Sequence, residues 1–471
     1  MISDAKLHVA VIGGGAAGLS AAWLLSKHHK VTLLEKNYRL GGHADTATVS
    51  AQMQPTLEAN TKSPTRLRDE SQQSDLKIDT GFIVYNEPCY PNLTRWFQAL
   101  GVDTEKSDMS FSVSREHGQF EYAGGPLLGL IAQRSLPFKA RFWSMMRDLL
   151  RFYRHARKQI GDNQLQTLGE FLAEHNYSDA FVQDHLLPFG AAIWSTPKAQ
   201  MLDYPALAFI RFCDNHGLLR LSSRPQWRTV TGGSVQYVAA VQRSLGPGSV
   251  HTDFDVHSIN RTADQVCIRD QSGNEITVDQ VVIATHADQA LQMIECPSED
   301  ETRLLTPFRY EKNRAVLHTD ESCMPRRKRA WCSWNYVEQD SVDTAQVSVS
   351  YWMNLLQNLP TDTNFFVSLN PAVAPKPDSI LLECTYEHPV FNTPAFESQQ
   401  ALWSLQGCQR TWFCGSYFGA GFHEDAVQSG LAVAEQLGPV IRPWSLENPS
   451  SRIVVNDDWH RQAPSITEAT A

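Results

Sequence analysis

No run of apolar residues in this chain approaches the ~18–20 that a membrane-spanning helix requires. Positive charge is short as well: 41 Lys and Arg stand against 51 Asp and Glu, for a formal net charge of −10. A general nucleic-acid binder needs a basic face, so nucleic acid is not an expected partner. The N-terminus runs from Met1 into Leu7-His8-Val9-Ala10-Val11-Ile12 without the basic stretch and small-residue cleavage site of a secretory signal. The nine cysteines are odd in number and include no C-x-x-C pair. That argues against a disulfide framework or a cysteine zinc site and fits free thiols in a reducing, cytoplasmic setting. No His, Asp or Glu cluster has metal-ligand spacing, so no metal is expected. No G-x-S-x-G nucleophile elbow occurs, and no internal repeat.

What is present suffices for a large core: 42% hydrophobic residues, with 21 Phe and 12 Trp, among 471 positions. Such a chain divides into two or three domains and is not globally disordered. Residues 7–12 and 31–35 read as short buried strands around a helix over 19–25, a β-turn-α-β unit of the kind that builds a parallel sheet. The span 51–75 is polar and is expected to be a mobile insert. Residues 92–187 read as mostly helical, the longest helix covering 135–160 with Phe138, Phe142, Met145, Leu149 and Phe152 at helical spacing. From about 229 the pattern shifts to strands, at 250–259, 265–269, 276–284, 314–318, 347–351 and 411–415. A closing helix over 426–437 and a loose polar tail over 445–471 complete the reading.

Val11-Ile12-Gly13-Gly14-Gly15-Ala16-Ala17-Gly18 matches G-x-G-x-x-G where the dinucleotide fingerprint demands it, after a strand and opening a helix. Gly13 permits the tight turn, Gly15 lets the backbone approach a pyrophosphate, and Gly18 lets helix and strand pack closely. The helix start at Ala16 and Ala17 offers free N–H groups and a positive dipole end to phosphates. Glu35 closes the second strand, 17 positions after Gly18. A carboxylate there hydrogen-bonds a ribose diol and repels a 2′-phosphate, which leaves FAD or NAD. The sequel Lys36-Asn37-Tyr38-Arg39-Leu40-Gly41-Gly42-His43 favours FAD. Its glycine pair lets backbone pass close to an extended ligand, and Arg39 can reach a phosphate or the adenine side. The plainer alternative is a glycine-rich turn in an unrelated α/β domain.

These motifs resemble those of the flavin-containing amine oxidase and phytoene desaturase superfamily, which carry G-x-G-x-x-G, an acid and then a Gly-Gly pair. Thr411-Trp412-Phe413-Cys414-Gly415-Ser416 and the segment from Gly421 to Gly430 extend the resemblance. It implies that the last helix aims its N-terminus, at His423, Glu424, Asp425 and Ala426, toward the pyrimidine end of a flavin. Backbone N–H groups there stabilise the negative charge of the reduced ring. Where the superfamily often has an acid after the strand glycine, here Gly415 is followed by Ser416. Ile78-Asp79-Thr80-Gly81-Phe82 resembles the D-x-G segment beneath the flavin. Val281 to Ala287 resembles the third nucleotide-domain strand, which places Ala284 and Thr285 at the cofactor, with Val256 at the adenine. The implied fold is α/β: a Rossmann-type FAD-binding domain of the p-hydroxybenzoate-hydroxylase and amine-oxidase kind, built from 1–88, 220–290 and 405–440. A discontinuous α+β substrate domain takes 89–219 and 291–404. No Cys follows Cys414 in the turn up to Phe422, so FAD is expected to be non-covalent.

A narrower resemblance rests on Asp79 to Asn86, Asp108 to Val113, Ala192 to Pro197, Phe212 to Leu218, Pro225 to Ser234, Asn313 to Asp320 and Gly421 to Asp425. These segments are similar to a bacterial subfamily whose genes often neighbour cyclopropane fatty-acyl-phospholipid synthases. Some relatives are implicated in making furan or methyl-branched fatty acids. The resemblance implies hydride transfer between flavin N5 and a lipid acyl chain, unsaturated, methyl-branched or cyclopropane. It also implies a fatty-acyl methyltransferase or cyclopropane synthase as partner. The aromatic, apolar middle of the chain permits a greasy tunnel. The basic helix at 135–160 and Met324-Pro325-Arg326-Arg327-Lys328-Arg329 can touch anionic lipid at the inner face of the membrane, or be solvated basic faces.

Two other readings stay open: an amine or amino-acid oxidase, and a flavin-bearing partner of a methyltransferase without turnover of its own. The flavin-face candidates are Phe422, His423, His388, Trp194 and Tyr351. Phe422 falls where the superfamily places a cage aromatic, and its purely apolar ring leans toward hydrocarbon. His388 or His423 can serve as an acid/base near neutral pH, or be a hydrogen-bonded structural histidine.

Overall fold

Five short parallel strands, all but the first largely buried as a parallel sheet demands, run side by side in the order Val250–His251, Lys30–Leu34, His8–Ile12, Gln280–Ile283 and Thr411–Phe413. The computed structural model describes residues 5–50, 75–124, 127–130, 132–161, 166–194, 197–220, 224–338 and 347–455. The polar insert, except for Asp75, and the tail from 456 onward lie outside the described residues.

The helix Ala16–Leu25 leaves the central strand and is buried at all ten positions. The helix His423–Leu437 covers it. Two glycines set how closely these parts approach. A Cβ on Gly18 would stand 1.9 Å from the Gly13 carbonyl oxygen, and one on Gly430 would stand 2.3 Å from the Ala17 carbonyl oxygen. No larger residue fits either place without moving backbone.

Beside this parallel layer lies a seven-stranded sheet in the order Ile380–Val390, Arg309–His318, Phe366–Leu369, Val349–Trp352, Trp334–Val337, Phe111–Arg115 and Phe120–Gly124. It is antiparallel except where Trp334–Val337 pairs in parallel with Phe111–Arg115. Smaller sheets join Val256–Arg261 with two neighbours, and Trp227–Val230 with Tyr85–Asn86 and Thr104–Ser107.

Several expectations need correction. Residues 92–187 are not uniformly helical: strands occupy 104–107, 111–115 and 120–124. Two of these strands pair with partners more than a hundred residues away, Thr104–Ser107 with Trp227–Val230 and Phe111–Arg115 with Trp334–Val337, so local pattern does not reveal them. The stretch 250–259 divides between two sheets at a turn in which Asp253 has φ 55°. The stretch 276–284 divides at Asp279, whose carboxylate accepts the His8 N–H at 2.7 Å. The long helix starts at Ala140, after a short turn at Leu136–Phe138 that contains Pro137. The eleven-residue edge strand Ile380–Val390, the longest among the described residues, mixes Glu383 and Glu387 with apolar residues and contains Pro389 near its end, which hides its period.

The basic stretches are largely paired. Arg141 meets Asp179 and Asp184, Arg151 meets Asp148, and Arg157 meets Asp214. Arg327 meets Glu121, and Lys328 meets Glu321. Among the described residues no helix is long and apolar enough to cross a membrane.

Replacing Gly430 by Val should lower the melting temperature, with an overpacking cost of about 1–3 kcal/mol or more. Gly15→Ala, whose Cβ would meet nothing within 4 Å, should leave the thermal melt unchanged.

Candidate active site

A cavity of about 1510 Å³ opens at the carboxyl ends of the parallel strands. That is where open α/β sheets bind ligands, at the point where the chain switches from one side of the central strand to the other. Its volume exceeds the ~300–1,000 Å³ usual for one small ligand. Gly13, at φ 105°, turns the chain beneath it, and Gly15 caps the helix Ala16–Leu25 with no side-chain hydrogen bond. The first N–H groups of that helix therefore have no side-chain acceptor and face the cavity at Ala16 and Ala17.

Glu35 is buried at this end. One carboxylate oxygen accepts the Gly14 N–H at 2.7 Å, and the other accepts the Asn37 N–H at 2.9 Å. The acid thus ties the glycine loop to the next strand while lining the cavity. Arg39 donates to the Gly42 carbonyl at 3.2 Å and pairs with Asp45 at 2.5 Å, so it braces the Gly41-Gly42 loop. Asp79 is a buried junction: it accepts from the Thr46 hydroxyl at 2.5 Å, the Ser234 N–H at 2.9 Å and the Gln357 amide at 2.8 Å. Burial pushes its carboxyl up to about 6.

Farther in, the Phe82 ring stacks on His423 with centroids 3.8 Å apart. His43 lies 5.2 Å from the Tyr386 ring and 5.3 Å from His388. The Tyr386 hydroxyl is 2.7 Å from Thr80 Oγ1 and donates to Asp45 at 3.0 Å. Burial pushes His43, His388 and His423 each down to about 3. The expectation that His388 or His423 titrates near neutrality is corrected by that burial: both rings are neutral at pH 7. The tautomer of His388 is set from a distance. The Arg314 N–H orients the Asn370 amide, which orients Asn313, whose amide nitrogen lies 3.0 Å from His388 Nδ1. That amide donates, so the His388 proton sits on Nε2.

Beyond this wall the cavity becomes aromatic. Phe422 stacks on Phe212 at 4.7 Å, with Trp194 at 6.2 Å and His216 at 6.0 Å. Trp334 and Tyr351 meet edge to face at 5.0 Å. Phe111, Tyr153, His185, Phe189 and Arg224 line the far part.

The cavity brings together Gly13, Gly15, Ala16, Ala17, Glu35, Lys36, Arg39, Gly41, Gly42, His43, Thr80, Gly81, Phe82, Val256, Ala284, Thr285, Gly415, Ser416, His423 and Ala426. The flavin-face candidates Phe422, His388, Trp194 and Tyr351 line it too. Gly18, Glu424 and Asp425 do not. Gly18 packs against the Gly13 carbonyl. The Glu424 carboxylate is consumed by the Asn92 and Leu93 N–H groups and the Gln428 amide, and Asp425 pairs with Arg452 at 2.7 Å. The segment 386–391, expected to bring a second group to the flavin face, places Tyr386 and His388 on the cavity, alternating along the edge strand. Sequence reasoning did not single out His185, His216, Trp334 or Arg224.

A family model described as flavin containing amine oxidoreductase matches residues 16–320. Among solved structures, the chain is similar to a protein from Exiguobacterium sp. 255-15 named as a protoporphyrinogen oxidase, at 15% identity and TM-score 0.64, over 92% of this chain and 99% of that one. It is similar to a cyclohexylamine oxidase from Brevibacterium oxydans at 16% identity and TM-score 0.61, over 92% and 100%. It is also similar to a fatty acid isomerase from P. acnes, at 15% identity and TM-score 0.60, over 91% and 98%.

Two outcomes follow from this geometry. A valine side chain at Gly15 projects into the space before the helix, so Gly15→Val should purify folded but without the yellow flavin absorbance. Full flavin occupancy in that variant would contradict the placement. Separately, His43, His185, His216, His388 and His423 are each held down to about 3, chiefly by burial. Below pH ~6.5 the unfolded chain binds protons these rings refuse, so stability present above 6.5 is lost as pH falls toward 3. Each ring contributes up to about 1.4 kcal/mol per pH unit. Asp79, raised to about 6, opposes this only at lower pH. The urea midpoint should therefore drop between pH 7.5 and 6.

Proposed function

The chain belongs to the flavin containing amine oxidoreductase family and is an FAD-dependent oxidoreductase; from that premise we propose that it transfers hydride to or from a lipid acyl chain. We propose further that the unit around the five-stranded sheet carries FAD and the unit around the seven-stranded sheet carries the substrate. The residues fit the cofactor: Gly15 leaves open space before an uncapped helix, and His43 Nε2 is buried without a partner among the described residues. Gly13, Gly15, Ala16 and Ala17 would hold the pyrophosphate, Glu35 the ribose and Val256 the adenine. Thr80, Gly81, Phe82, Ala284, Thr285, Gly415, Ser416 and the start of the last helix would hold the flavin. When bound, FAD supplies the hydride acceptor or donor.

The observation that carries the acyl reading is the composition of the inner lobe. Phe422 sits among Trp194, Phe212 and His216, and among the described lobe residues there is no carboxylate to receive an ammonium group. Apolar walls of this kind take hydrocarbon, and the neutral histidines at its inner end place no fixed charge beside it. A fatty acid isomerase and a cyclohexylamine oxidase share the fold, so the lobe and not the fold distinguishes acyl chain from amine. Phe138 is 90% exposed and Trp143 58% exposed at the start of a basic helix. These aromatics, with Lys139 and Arg147 beside them, support peripheral contact with anionic lipid by a cytoplasmic protein. A fatty-acyl methyltransferase or cyclopropane synthase as partner rests on the resemblance alone.

Anaerobic mixing of the oxidised enzyme with phospholipids bearing unsaturated, methyl-branched or cyclopropane chains should bleach the flavin band, or the same lipids should reoxidise the reduced enzyme. Bleaching by polyamines or amino acids alone would replace this reading with an amine oxidase.

A further inference from the structure

Two side-chain amides on neighbouring segments fix the hydrogen-bonding state of His388. Asn313 lies on the strand Arg309–His318, diagonal to His388 across the pairing with the edge strand Ile380–Val390, and is 1% exposed. Its amide nitrogen donates to the Glu311 carbonyl at 3.1 Å and to His388 Nδ1 at 3.0 Å. Its amide oxygen accepts from the Asn370 amide at 2.7 Å. The Asn370 oxygen in turn accepts the Arg314 N–H at 2.8 Å. Backbone groups anchor this relay at both ends, an N–H at Arg314 and a carbonyl at Glu311. Neither amide can flip without setting donor against donor or acceptor against acceptor. Asn370 reaches its place in a left-handed turn, φ 44°, just past the strand Phe366–Leu369, a conformation that asparagine tolerates better than most residues.

The relay leaves the His388 proton on Nε2, and among the described residues that edge of the ring has no partner. The ring is half-buried, lines the cavity and faces His43. Glu311 stands opposite His388 in the register, yet among the described residues no ion pair joins them. Burial keeps the imidazole neutral at pH 7. A neutral N–H on this wall calls for an uncharged acceptor. Lys312 and Arg314 on the neighbouring strand already pair with Glu387 and Glu383. A carboxylate buried there without a cation would be costly. An ammonium group brings only donors, which meet a donor. A carbonyl oxygen meets the requirement, because it accepts and carries no charge.

We propose that His388 Nε2–H holds a carbonyl oxygen of the substrate, with Asn313 and Asn370 as the positioning residues that keep the proton on that edge. This rests on the acyl-chain reading and adds that the chain is bound through an oxygenated carbon. An ester carbonyl at the chain end and a ketone within the chain share this chemistry.

Tautomer-resolved NMR of histidine-labelled, FAD-loaded enzyme at neutral pH tests the relay. Calorimetric titration of the same enzyme with dipentyl ketone, methyl decanoate and undecane tests the contact. The His388 signal, identified by its loss in His388→Gln, should show the proton on Nε2. In Asn313→Asp the new carboxylate accepts from Nδ1, and that pattern should disappear. At least one carbonyl probe should bind wild type about fivefold or more tightly than undecane, and the tighter of the two assigns ester or ketone. The preference should vanish in His388→Phe and Asn313→Asp and persist in part in His388→Gln, which keeps an amide N–H. Undecane should bind all four proteins alike. A wild-type ring protonated on Nδ1, or carbonyl probes that bind wild type no better than undecane, overturns the proposal and leaves the acyl reading intact. Failure of all three probes to bind wild type overturns both.

Discussion

At Gly430 the last helix rests directly on the Ala17 carbonyl of the first, with no side chain between them. Packed helices ordinarily stand 8–10 Å apart because side chains intervene. Removing the Cβ lets the two backbones close up. Ser20, whose hydroxyl donates to the Ala17 carbonyl at 2.9 Å, completes the contact from the first helix. Two helix N-termini from opposite ends of the chain, at Ala16 and at His423, are thereby held on one cavity. Phe422, the residue before the first turn of the last helix, is placed with that helix.

Buried carboxylates serve this frame. Asp79 collects donors from Thr46, Ser234 and Gln357, and Glu424 collects them from Asn92, Leu93 and Gln428. Each gathers donors from segments hundreds of residues apart, and a buried acid that lost those donors would be strongly destabilising. Burial raises the pKa of both. Their perturbed titration reflects structure, not proton transfer.

Along the cavity the chemistry changes in order: backbone N–H groups and an acid at the dinucleotide end, neutral histidines at the middle wall, aromatic rings beyond. Proton carriers are scarce where a substrate would meet a flavin. The apolar rings beyond that wall position a ligand by packing and not by charge.

The nucleotide end was legible from the sequence because its determinants are local. A strand, a G-x-G-x-x-G turn, a helix and Glu35 lie within 28 residues of one another, and each has a steric or electrostatic reason readable from residue type. The same holds for Gly18, whose close approach is made to its own turn. The aromatic lobe was legible only in part: residue type nominated Phe422, Trp194 and Tyr351, but not their meeting with Phe212 and Trp334, because these residues come from separate helices, strands and turns far apart in the chain. The first turn of the last helix shows the limit plainly. Its residue types suggested a run of cofactor contacts, but helical geometry sends His423 and Ala426 to the cavity and turns Glu424 and Asp425 inward to Asn92 and Arg452. Residue type alone thus determined the cofactor class. Tertiary packing decided which side chains face the cavity and which histidines are neutral, because burial and orientation belong to the assembled chain.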